Sequence, residues 1–120
     1  MNGKPEPEEV AYASFFKPND GSWVSQKVVL DTGSKVNAIS RKVALDLDLD
    51  VEAADGFLKG FRPEVITPCG KATLRWYFWS TEGKKEYEEV FWVVDTCHFE
   101  VLISGDFIWQ EKIFDRLLPR

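Results

Sequence analysis

The chain has 120 residues, 44% of them hydrophobic, and a net charge of −5. That length fits one domain with its own core, and that hydrophobic share excludes a disordered chain. The negative balance argues against nucleic acid as a ligand, and no apolar run approaches the roughly 20 residues of a membrane helix.

Residues 1–9 hold two Pro and three Glu and read as a flexible lead-in; residues 10–120 read as the domain. Residues 10–16, VAYASFF, predict a strand that ends at Pro18-Asn19-Asp20-Gly21. Residues 23–30 predict the next strand, so the pair forms a hairpin that feeds a turn at Asp31. Ser40 is a good N-cap for a helix over 41–47, although Val43, Leu45, Leu47 and Leu49 alternate as a strand would. Residues 57–68, FLKGFRPEVITP, carry Gly60 and Pro63 around a turn and predict a hairpin able to fold over a cleft. Strands over 71–80 and 86–95 flank a turn at 81–84. A last apolar strand over 99–104 precedes a short helix to 114, capped by Asp106. The sum is a mostly β domain of about eight short strands with one or two helices, a closed or partly closed barrel. Five Trp and nine Phe suggest a broad apolar sheet surface that meets a partner.

The most informative stretch is Val28-Val29-Leu30-Asp31-Thr32-Gly33-Ser34. An apolar strand delivers an acid onto a tight Thr-Gly turn. Gly33 permits close backbone approach to the carboxylate, and Thr32 and Ser34 add short hydrogen-bonding side chains. Residues 28–40, VVLDTGSKVNAIS, resemble the active-site segment of the retropepsin-like aspartic proteases. In that family a strand precedes Asp-Thr/Ser-Gly-Ala/Ser, and polar residues and an apolar-Ser pair follow. Residues 101–108, VLISGDFI, resemble the apolar strand, glycine and short helix that close such a lobe. Together the resemblance covers most of residues 10–114. Two positions depart from the pattern. Lys35 replaces an acidic or small polar residue, and Ser104 stands where an apolar residue normally precedes the glycine.

The resemblance implies a retropepsin-like acid-protease barrel with Asp31 as the catalytic residue and Thr32, Gly33 and Ser34 as its turn. Thr32 would brace the partner's loop, and Ser34 would donate a hydrogen bond to Asp31. Leu58, Lys59, Gly60, Phe61 and Arg62 would form a flap over an extended polypeptide substrate. Aspartic proteolysis needs two carboxylates close together, which share one proton. The sequence has one Asp-Thr-Gly, so the second acid must come from another copy. The expected enzyme is a homodimeric aspartic endopeptidase without cofactor or metal. The alternative is a catalytically weak or inactive module that binds peptide or dimerises.

Other motifs carry less. Asp46, Asp48 and Asp50 resemble a calcium loop, but the required Gly and Glu are Val51 and Phe57. His98, the single histidine, reads as a loop residue, and Cys69 and Cys97 as free, buried thiols. With no apolar leader at the N-terminus, the expectation is an intracellular, cytoplasmic domain of a larger polyprotein or multidomain protein.

Overall fold

Alternation of buried and exposed residues builds a barrel. The computed structural model describes residues 9–53, 68–80, 83–96 and 98–116. Its strands are β1 (Glu9–Lys17), β2 (Ser22–Asp31), β3 (Ala38–Ser40), β4 (Gly70–Ser80), β5 (Gly83–Val94) and β6 (Val101–Ser104). Three short helices accompany them: α1 (Arg41–Asp46), α2 (Gly105–Gln110) and α3 (Ile113–Arg116). The strands close in the order β1-β2-β6-β3-β5-β4. The predicted flap residues Leu58, Lys59, Gly60, Phe61 and Arg62 lie outside the described residues, as do Cys97 and residues 81 and 82 of the predicted 81–84 turn.

In β4, Ala72, Leu74, Trp76 and Phe78 face inward while Lys71, Thr73 and Arg75 are exposed, the period-2 pattern of a strand with one wet face. The antiparallel β4–β5 ladder runs from Gly70↔Val93 to Ser80↔Gly83, so two long strands account for much of the sheet. Six strands result among the described residues instead of the expected eight. The β1–β2 hairpin turns where predicted. Gly21 has φ +75°, and its N–H donates to the Lys17 carbonyl at 2.9 Å. Asp20 accepts from the Ser22 hydroxyl at 2.6 Å, which holds its carboxyl below the usual range.

Many of the aromatic residues fill the barrel core and not the sheet surface, while Tyr12 and Trp109 stay exposed. Phe15, Trp76, Phe78, Tyr87, Phe91 and Phe107 are buried in the core. Phe15 stacks on Trp76 at 5.8 Å, Tyr87 lies 4.9 Å from Trp76, and Phe107 meets Tyr87 edge-on at 5.0 Å. Burying each such side chain contributes about 1.5–3 kcal/mol. Outside the barrel, the chain's own cations cover other rings. Arg75 sits 4.5 Å over Phe16 and pairs with Glu86 at 3.0 Å, and Lys84 sits 4.4 Å over Tyr77. The Arg75 hydrogen bond lowers the Glu86 pKa.

The helices start on serines. Ser40 Oγ accepts from Val43 N–H at 3.2 Å, as predicted. Ser104, not Asp106, caps α2: its Oγ accepts from Phe107 N–H at 3.2 Å, and Asp106 stands in the first turn. The C-terminal segment forms two helices, broken at Lys112 with φ +53°. Asp48, with φ +54°, ends α1 in the same left-handed way, and Leu49 N–H reaches back to the Ala44 carbonyl at 3.1 Å. The Asp46-Asp48-Asp50 run is therefore a helix exit. Among the described residues no group of three or more His, Cys, Asp or Glu could hold a metal, and no helix could cross a membrane.

A left-handed residue with a side chain is strained, and glycine relieves it. Asp48→Gly and Lys112→Gly should each stabilise the fold by about 1 kcal/mol, raising the melting temperature by about 3–5 °C. Thermal melts monitored by near-UV circular dichroism would check both variants.

Candidate active site

Asp31 is the last residue of β2, opposite Ser104 in the parallel β2–β6 ladder. Burial of Val28, Val29 and Leu30 fixes the strand that carries it. Val28 and Leu30 pack in the barrel core, while Val29 faces the other way beside its ladder partner Leu102. The chain then turns at once: Ser34 N–H donates to the Asp31 carbonyl at 3.0 Å, leaving Thr32 and Gly33 exposed at the corner. The Gly33 N–H donates to Asp31 Oδ1 at 2.9 Å and orients the half-buried carboxylate. Asp31, Thr32, Gly33 and Ser34 thus form the single turn expected of them.

Ser34 departs from expectation. Its buried hydroxyl donates to the Val36 carbonyl at 2.8 Å and accepts from Val36 N–H at 3.3 Å. It braces the loop from within instead of donating to Asp31, because the loop folds its hydroxyl inward. Lys35 is exposed and makes no ion pair among the described residues.

The turn is clamped from below. Gly105 N–H donates to the Ser34 carbonyl at 2.9 Å, and a Cβ on Gly105 would strike the Thr32 carbonyl oxygen. A glycine is required there for contact, not for backbone angle. Asn37, which sequence reading passed over, accepts from Ser104 N–H through its Oδ1 at 2.8 Å. Its only sequence signal was a polar residue just before the apolar Ala38-Ile39 pair.

His98 is exposed, and its backbone N–H donates to Thr96 Oγ1 at 3.1 Å. Cys69 is free but exposed, not buried as expected, because it precedes β4, where its N–H joins the Val93 carbonyl at 2.7 Å.

The barrel order, the Asp31 turn beside the end of β6 and the helix that follows define a retropepsin-like fold. It is similar to the retroviral protease-like domain of Ddi1 from Leishmania major, at 14% identity and TM-score 0.51 over 87% of this chain and 76% of that one. It is also similar to a retropepsin-like aspartic protease from Rickettsia conorii, at 16% identity and TM-score 0.51 over 89% of this chain and 85% of that one. No family model matches the sequence, and no curated protein matches it.

Gly105→Ala tests the clamp. The added methyl has to displace the Thr32 backbone, so the variant should lose about 1–3 kcal/mol in chemical denaturation. The amide resonances of residues 32–34 should move most. Unchanged stability and spectra would contradict the close approach.

Proposed function

We propose that this chain is one half of a homodimeric aspartic endopeptidase. The observation that carries the reading is Asp31 itself. It is a carboxylate held by Gly33 N–H on a clamped turn, with Thr32 and Gly33 exposed where a second turn can meet it. In the dimer, the two Asp31 carboxylates face each other across a twofold axis and hold one proton between them. The ionised one removes a proton from a bound water, whose oxygen attacks the scissile carbonyl carbon. The protonated one donates to the carbonyl oxygen. The tetrahedral diol then collapses, the C–N bond breaks, and the leaving nitrogen takes a proton. The two exposed Thr32 residues would brace the loops against each other, and the predicted flap residues Leu58, Lys59, Gly60, Phe61 and Arg62 would cover an extended substrate that pairs as an added strand.

One observation favours the alternative, a module that holds peptide without cutting it. The Ser34 hydroxyl is engaged by Val36, so among the described residues Gly33 alone donates a hydrogen bond to the carboxylate.

Asp31→Asn separates the two. It keeps the size of the side chain while removing the general base, so cleavage of a peptide library should vanish with folding intact. Equal activity in both proteins would rule the mechanism out. Peptide binding by a wild type that never cleaves would support the module instead.

Activity should also follow the dimer. Specific activity should fall on dilution below the dimer dissociation constant, and excess Asp31→Asn chain should poison the wild type through mixed dimers. Sedimentation at matched concentrations would report the mass, and a peptidase active as a strict monomer would overturn the reading.

A further inference from the structure

We infer that Asn37 is a positioning residue for the Asp31 turn. β6 lies between β2, its parallel neighbour, and β3, its antiparallel neighbour. Residues 31–37 must therefore cross over the end of β6 to join the two. The β3–β6 ladder pairs Ala38 with Leu102 and Ile39 with Val101 and goes no further. Beneath the crossing, Ser104 and Gly105 present N–H groups that β3 does not reach.

Two acceptors on the crossing segment answer them. The Ser34 carbonyl takes Gly105 N–H at 2.9 Å, and Asn37 Oδ1 takes Ser104 N–H at 2.8 Å. The Asn37 carbonyl also accepts from Trp92 N–H of β5 at 3.0 Å. Asn37 thus fixes the far end of the crossing to two strands at once, by side chain to β6 and by backbone to β5. The near end is Asp31, whose ladder partner is the same Ser104. The height of the turn over β6 is set at both ends by Ser104, and Asn37 supplies the side-chain half of that setting.

Leucine keeps the branched shape of asparagine but accepts nothing, so Asn37→Leu leaves the Ser104 N–H unpaired in a half-buried site. Asn37→Asp keeps an acceptor oxygen in the same place. In Asn37→Leu, hydrogen exchange at the Ser104 amide should accelerate by about tenfold, while amides in the β4–β5 ladder stay protected. The Gly33 amide resonance, which reports the bond to Asp31, should shift. Both should return close to wild type in Asn37→Asp.

The catalytic consequence rests on the peptidase reading: kcat should fall by about tenfold with KM little changed in Asn37→Leu, and recover in Asn37→Asp. Asn37→Ala, which admits a water, replaces the leucine variant if that one does not fold. Unaltered Ser104 exchange and Gly33 resonance in the leucine or alanine variant would overturn the inference. So would equal damage from Asn37→Asp. A wild type that cleaves nothing sinks the peptidase reading alone, because the amide measurements still decide what Asn37 does.

Discussion

The passage of residues 31–37 over the end of β6 is the constraint on which the site depends. A strand that ends beneath another segment exposes backbone N–H groups with no ladder to join, and leaving one buried and unpaired costs about 1–3 kcal/mol. Here the crossing segment itself supplies the acceptors, from the Ser34 carbonyl and Asn37 Oδ1. Because Gly105 has no Cβ, the Thr32 backbone can lie directly on it. The pairing that satisfies β6 therefore also fixes the position of Asp31.

Ser104 ties this crossing to the rest of the fold. Its N–H is held by Asn37, its hydroxyl caps α2, and its place in the ladder is opposite Asp31. α2 in turn drives Phe107 into the aromatic cluster with Tyr87 and Trp76. Displacing the turn would pull on that helix and hence on the core. Rigidity of this kind suits a turn that holds a carboxylate in one orientation.

Much of the β architecture was legible from local pattern. The 10–16 and 23–30 strands, the Gly21 turn and the Ser40 cap rest on alternation, a positive-φ glycine and a hydroxyl at a helix start, all properties of neighbouring residues. Where two local signals competed, tertiary contacts chose. Alternation over 43–49 suggested a strand, but α1 forms because Val43, Ala44 and Leu47 reach the core from one helical face. The short β3 strand over Ala38–Ser40 escaped notice because three residues carry too little period to detect. Arg75 lies 5.5 Å over Trp23 and Lys84 lies 4.4 Å over Tyr77, contacts made between strands that no local pattern announces.

The sequence by itself determined that an acid follows an apolar strand onto a Thr-Gly turn, and that a second apolar strand ends at a glycine and a helix. Those features depend on residues a few positions apart, and spacing alone expresses them. Only the tertiary structure decided how the two motifs meet. It brought Gly105 under Thr32, turned the Ser34 hydroxyl to Val36 and not to Asp31, and gave Asn37 a partner 67 positions away. Hydrogen bonds between distant backbone groups depend on which strand lies between which, and that order is a property of the closed barrel rather than of any stretch of the chain.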